Sequence, residues 1–165
     1  MNRKAIIFGI KGTKLTADER HILRTEKPWG IILFSRNIKN IFQLKFLIDD
    51  IKKSIKDKNY PILIDQEGGR VSRLSKIIDL SLFSQGHFGK LYKQENKSFI
   101  HHYKVYIDKV CDILKKVGIN INTVPVMDVR RKSSHNVIGN RSFSTDAAVV
   151  SKMGNLCINL YQKNK

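Results

Sequence analysis

The sequence predicts an α/β protein, the N-terminal half of a (β/α)8 TIM-type barrel made of about four βα units. Three observations carry this reading. Strand-like apolar segments alternate with helix-like amphipathic ones, the pattern of a parallel sheet with crossover helices. Polar residues able to do chemistry gather where those strands end. And the 165 residues supply four units, whereas a closed eight-fold barrel takes about 250 residues.

Lys4–Ile10 reads as the first strand, short and apolar over Ala5–Gly9. Thr16 and Glu19 stand three apart, the spacing at which side chain and backbone satisfy each other's donors at a helix start. Gly30–Ser35, GIILFS, is a continuous apolar run suited to a strand buried on both faces. Leu44, Leu47, Ile48, Ile51 and Ile55 follow at helical spacing, with Lys52, Lys53, Lys56 and Lys58 mostly off that stripe. Tyr60–Asp65, YPILID, is the third strand. Residues 74–95 lack clean periodicity, carry Gly86 and Gly89, and read as a loop with short helical turns. A long helix then places Phe99, Tyr103, Tyr106, Ile107, Val110, Leu114 and Val117 on one face, and Gly118 ends it. Ile119–Val129 is the expected fourth strand and Arg130–Phe143 a polar loop. Thr145 or Asp146 caps a last helix through Leu160. No repeat, linker or composition break divides the chain, so 1–165 is read as one domain.

A hydrophobic share of 41% and a charged share of 27% exclude a disordered tail and a membrane-spanning chain. Arg3 and Lys4 precede an apolar stretch at the N-terminus, but Ala5–Ile10 is shorter than an export core and runs into Lys11. The expected location is cytoplasmic. The net charge of +17 suggests a polyanion-binding face. Against that, Lys, Ile and Asn supply 56 of the 165 residues, as AT-rich coding would produce. The lysines are also spread along the chain rather than grouped with aromatics. No specific nucleic-acid partner and no membrane partner is expected. Cys111 and Cys157 fall on apolar helical stripes and read as core. His101 and His102 are adjacent on a helix, poorly placed to share a metal.

The chemistry gathers at strand ends, where loops vary while strands hold them rigid. The second strand ends in Ser35-Arg36-Asn37, the third in Asp65-Gln66-Glu67-Gly68-Gly69-Arg70, the fourth in Asp128. One loop further on stands Gly139-Asn140-Arg141-Ser142-Phe143. Asp65 follows three apolar residues, so its carboxylate sits at the mouth of a buried strand and suits adjacent sugar hydroxyls. Gly68-Gly69 allows positive φ and close approach of a ligand to backbone. Arg70 and Arg73 offer fork-shaped donors. The competing reading is a strand-end turn with an Asp–Arg salt bridge, in which Glu67 and Arg70 are the first candidates for internal bracing. Asp128 paired with Asp65 or Glu67 suggests two glycosidase carboxylates, and His135 is a conceivable acid/base, though such residues more often hold loops or sit in solvent.

These residues also resemble a known family. LIDQEGGRVSRL at 63–74 is similar to the signature of family-3 glycoside hydrolases of the single-domain bacterial β-N-acetylhexosaminidase type. GIILFSRN at 30–37, VPVMDV at 124–129 and IGNRSFS at 138–144 follow in the same order. The resemblance covers nearly the whole chain, which makes 1–165 part of a glycoside hydrolase family 3 N-terminal barrel domain. It implies Asp65, Arg73 and Arg141 as substrate-binding residues for a terminal N-acetylglucosamine. It implies removal of that sugar with retention of configuration, from cytoplasmic muropeptides in cell-wall recycling, with no metal or organic cofactor. The family's Lys-His-Phe-Pro-Gly-His stretch, its Asp–His acid/base pair and its Asp nucleophile come later than Lys165. None of Asp128, His135 or Glu67 matches a catalytic position, so no catalytic residue is assigned and the 165-residue chain alone is expected to be inactive. Residues 75–90 also lack the proline often found there. Three alternatives remain: a decaying remnant, a non-catalytic sugar- or polyanion-binding module, and one half of a split enzyme completed by a C-terminal half or by a second copy.

The charge reading has a direct test. Binding to random duplex DNA is expected to be weak, with a shallow dependence of log K on log salt; a steep slope would mean a dedicated phosphate-binding face.

Overall fold

The computed structural model describes residues 3–94, 98–131 and 135–164. Its backbone contacts gather into two units, Met1–Asp65 with Arg73–Asp79 and Ile113–Thr123, and Gln66–Ser72 with Leu80–Asp112 and Val124–Lys165.

The first unit holds the sheet. Strands β1 (Lys4–Gly9), β2 (Pro28–Leu33), β3 (Ile62–Ile64) and β4 (Ile121–Asn122) lie in the order of the sequence. Every neighbouring pair is parallel, with Ile31 opposite Ile62 and Leu63 opposite Ile121. An order without reversal is that of barrel winding, in which each crossover adds its strand on the same side; a doubly wound sheet would reverse. All three residues of β3 are buried, as a strand covered on both faces requires.

The helices of this unit follow from their caps and stripes. In α1 (Ala17–Thr25), Thr16 accepts from the backbone of Glu19, and Glu19 accepts in turn from that of Thr16. Helix α2 (Ile41–Ile55) buries all five residues of its apolar stripe, each contributing about 1.5–3 kcal/mol relative to exposure. Its start is capped by Asn40, which accepts from Gln43 N at 2.8 Å. Lys52 donates to the Gly118 carbonyl at 2.8 Å, and partial burial pulls its ammonium below the usual lysine range.

The second unit holds α3 (Gln85–Lys93), most of α4 (Phe99–Val117), and α5 (Ala147–Lys163). Its core is aromatic: the Phe88 ring lies 4.5 Å from that of Tyr103 and 5.1 Å from that of Tyr106. Asp146 caps α5 by accepting from Ala148 N. Cys111 and Cys157 are buried and neither forms a disulfide, and burial pushes the Cys157 thiol up to about 11.

Two expectations need correction. Residues 85–93, expected as part of a loop with short turns, form a helix of nine residues capped by Ser84. Its glycines lower helix propensity but serve close packing. A Cβ at Gly89 would stand 1.9 Å from the Phe143 carbonyl oxygen, and one at Gly86 3.1 Å from that of Asn140. The fourth strand, expected over 119–129, pairs only at Ile121–Asn122. Pro125 has no N–H for a ladder, and the backbone of Val126 is bonded instead to the side-chain amide of Gln85, at 2.8 and 3.4 Å. No helix among the described residues is long and apolar enough to cross a membrane.

Three buried phenols predict alkaline lability. Tyr60 donates to the Pro28 carbonyl at 2.9 Å, and burial pushes its hydroxyl up to about 12. Burial raises Tyr103 and Tyr106 as well. In the unfolded chain tyrosine ionises near pH 10, so the stability these protons carry is complete below that pH and is lost as pH rises through the folded values. The urea midpoint is expected to fall steadily from about pH 10 upward, and a flat midpoint there would contradict the burial of these groups.

Candidate functional site

In the first unit the carboxyl ends of the four strands carry a connected row of side chains. Asp65 follows β3 directly. Its Oδ2 is 3.2 Å from an Arg73 terminal nitrogen, and its Oδ1 accepts from the Thr123 hydroxyl at 2.5 Å. The Asp65 and Arg73 side chains keep 24% and 26% of their surface, so the pair is partly desolvated yet open to a ligand. Thr123 follows β4, and its backbone N–H donates to the Ile64 carbonyl at 3.0 Å.

Phe34, which follows β2, completes the row. The Arg73 guanidinium lies 5.4 Å from the Phe34 ring centre and that of Arg36 4.6 Å from it, a cation–π arrangement that restrains both. Arg36 Nε donates to the Ile10 carbonyl. Gly9, the last residue of β1, leaves room for this: a Cβ there would stand 2.9 Å from an Arg36 nitrogen and 3.1 Å from the Phe34 ring. The fully buried Asn37 fixes the loops on either side. It accepts from Phe34 N at 2.9 Å and donates to Ile10 and Gly12 carbonyls at 3.0 and 2.8 Å. Arg73 Nε is buried without a hydrogen-bond partner among the described residues, an unmet donor of the kind that costs about 1–3 kcal/mol.

The second unit holds the rest of the signature. Gly68 and Gly69 take φ of +85° and +61°, and a Cβ on Gly68 would meet the Phe83 carbonyl at 2.2 Å. Only glycine fits that turn. Glu67, 5% exposed, accepts from Arg141 Nε and from a terminal nitrogen, both at 2.8 Å. This is the two-toothed geometry that makes arginine–carboxylate pairs strong. Tyr106 donates to the Glu67 carbonyl at 3.1 Å. Arg70 donates to the carbonyls of Asn136 and Val137. A cavity of about 10 Å³ beside Gln66, Glu67, Tyr103 and Tyr106 has room for about one water and none for a sugar.

The structure thus brings Asp65 and Arg73 together in one unit and joins Arg141 to Glu67 in the other. The Asp–Arg salt bridge and the bracing roles of Glu67 and Arg70 are all present, but Glu67 is braced by Arg141, and Arg70 by carbonyl oxygens. Asp128 is not a strand-end residue: it is exposed and lies beyond the short β4. Its carbonyl accepts from Ser142 Oγ at 2.6 Å. His135 Nδ1 accepts from Val137 N. The rings of His101 and His102 are 5.9 Å apart, and no group of three or more metal-ligating side chains occurs among the described residues. The sequence reading gave no role to Phe34, Arg36 or Thr123. Arg36 already stood in a run at an expected strand end. Phe34 and Thr123 lay inside the strands expected over 30–35 and 119–129, and follow strand ends only because the observed β2 and β4 stop earlier.

A model of the glycosyl hydrolase family 3 N-terminal domain matches residues 4–165. The chain belongs to glycoside hydrolase family 3. Among curated family members, it is 30% identical over 146 residues to a β-hexosaminidase of Xanthomonas campestris pv. campestris (strain B100), covering 88% of this chain and 43% of that protein. It is 31% identical over 149 residues to the β-hexosaminidase of Hydrogenovibrio crunogenus, covering 90% and 41%. Among solved structures it is similar to NagZ from Neisseria gonorrhoeae in complex with N-trifluoroacetyl-D-glucosamine. The TM-score is 0.83 at 28% identity, over 98% of this chain and 48% of that one. A family 3 β-N-acetylglucosaminidase from Paenibacillus sp. str. FPU-7 gives 0.79 at 25% identity, over 96% and 29%. The chain therefore spans less than half the length of these family 3 relatives, and the parallel α/β class expected from its sequence is the class it has.

Breaking the Glu67–Arg141 pair separates bracing from mere proximity. Glu67→Ala removes the carboxylate from a partly buried guanidinium and is expected to cost about 2–3 kcal/mol by urea unfolding, discounted from a fully buried pair because Arg141 is a quarter exposed. Arg70→Ala, at an exposed side chain, is expected to cost less than about 1 kcal/mol. Equal costs would refute the assignment.

Proposed function

We propose that these 165 residues are the sugar-gripping part of a β-N-acetylhexosaminidase, the N-terminal half of its (β/α)8 barrel domain. Asp65, Arg73 and Arg141 bind a terminal N-acetylglucosamine. The observation that carries the reading is the Asp65–Arg73 pair, held 3.2 Å apart at the carboxyl edge of a parallel sheet. A fixed carboxylate accepts from adjacent sugar hydroxyls, and a guanidinium beside it donates to ring-substituent or carbonyl oxygens. The unmet Arg73 Nε donor and the family membership support the same reading.

Within that proposal, the whole enzyme removes the sugar by double displacement through a glycosyl-enzyme intermediate, with the three residues orienting the ring. Muropeptides in the cytoplasm are the proposed substrates, without a metal or organic cofactor. The acid/base and the nucleophile are not assigned to any of the 165 residues. A complementing C-terminal half, or self-association, is the proposed protein partner. Its support is strand β1, which lies at the edge of the described sheet and where Ile6 and Ile7 keep 52% and 43% of their surface, a template for a further strand.

Calorimetric titration with N-acetylglucosamine tests the binding claim, and an aryl N-acetylglucosaminide tests the catalytic one. The 165-residue chain is expected to bind the sugar without turnover, and Asp65→Asn or Arg73→Ala to lose at least about tenfold in affinity. Robust turnover by the chain would sink the division between grip and cleavage, and unchanged affinity in both variants would sink the site.

A further inference from the structure

We propose that Thr123 is a positioning residue that sets the carboxylate of Asp65 in the orientation that receives the sugar. The inference rests on the sugar-binding reading of Asp65 and extends it to a residue outside the family's recognisable motifs.

Thr123 is 58 residues away in sequence and meets Asp65 only because β3 and β4 are neighbours. Its hydroxyl has one proton to donate and two acceptors within reach, Asp65 Oδ1 at 2.5 Å and the Ile64 carbonyl at 3.4 Å. The nearer acceptor is also the stronger one, because a carboxylate makes a charge-assisted hydrogen bond. The donor itself is not free to wander. Thr123 N donates to the Ile64 carbonyl at 3.0 Å, which locks its backbone to the strand that ends in Asp65. A β-branched side chain has few χ1 choices beyond that.

The consequence concerns the geometry of the acceptor. An aspartate held only through Oδ2 by Arg73 can turn about its last torsion, a broad and shallow one. Held at Oδ1 as well, its plane is fixed. Each oxygen then spends one lone-pair direction on the protein and keeps another for a ligand hydroxyl. Fixing a binding group before the ligand arrives removes an ordering cost from binding. Thr123 touches no reacting atom in this account and acts only through Asp65.

The test is calorimetric titration of the 165-residue chain with N-acetylglucosamine, comparing wild type, Thr123→Val, Thr123→Ser, Thr123→Ala and Asp65→Asn, with a thermal midpoint for each. Loss of a hydrogen bond to a charged acceptor predicts about tenfold or more weaker binding for Thr123→Val and Thr123→Ala. Thr123→Ser, which keeps the hydroxyl, is expected within about twofold of wild type, because only a methyl is removed. If Val perturbs the fold and shifts the midpoint, the Ala-against-Ser contrast decides. Wild-type affinity in Thr123→Val, or equal losses in Ser and Ala, while Asp65→Asn fails to bind, overturns the role of Thr123 and leaves the sugar site standing. No binding by the wild type, or undiminished binding by Asp65→Asn, overturns the sugar site itself and this inference with it.

Discussion

The parallel pairing of β3 with β2 on one side and β4 on the other is the constraint from which the first unit takes its chemistry. β3 has only Ile62, Leu63 and Ile64, all buried, and it pairs with β2 on one side and β4 on the other. A strand so short and so enclosed cannot slip, because a one-residue shift would draw Pro61 or the Asp65 carboxylate into the buried ladder. Asp65 therefore leaves the sheet at one fixed point, and the residues that follow β2 and β4 arrive beside it. Phe34 restrains Arg73 through its ring, and Thr123 holds the carboxylate. Asn37 and Gly9 keep the loops and the second guanidinium from crowding that edge.

Within the second unit a different constraint operates. Glycines at 68, 86 and 89 are each pressed against backbone that a Cβ would meet at 2.2, 3.1 and 1.9 Å. Close backbone approach lets the Gln66–Ser72 turn, α3 and the Asn140–Phe143 segment pack without intervening side chains. The Glu67–Arg141 pair sits in that packing, with the carboxylate buried and the guanidinium a quarter exposed. A charge so placed needs its partner, so the best-known stretch of the signature divides its labour. Asp65 and Arg73 are proposed to face a ligand; Glu67 braces, and Arg141 both braces and is proposed to bind.

A partly exposed ion pair on a rigid edge suits the proposed binding role better than a role in stability. The Asp65–Arg73 pair is only partly buried, where such pairs contribute little to folding, and Arg73 carries an unmet buried donor. Both features cost the protein something that a merely structural turn could avoid with apolar residues. The same pair fits the hydroxyl and carbonyl oxygens of an amino sugar, which is the reading that membership of family 3 favours.

The sequence alone determined the helices with clean stripes and good caps, α1, α2, α4 and α5, because periodicity and capping are local properties. It also determined the parallel α/β class, the positions of the first three strands, and the proposed ligands Asp65, Arg73 and Arg141 through a motif that is local as well. Tertiary structure decided what depends on distant neighbours. Helix α3 forms despite two glycines because backbone from the Asn140–Phe143 segment packs against it. β4 falls short of the expected 119–129 because Pro125 has no N–H for the ladder and Val126 bonds to Gln85 instead. Glu67 braces Arg141, and Asp128 loses its strand-end position. Thr123 acquires a role only because a residue 58 positions away is its neighbour across the sheet, and no local pattern in the chain records that distance.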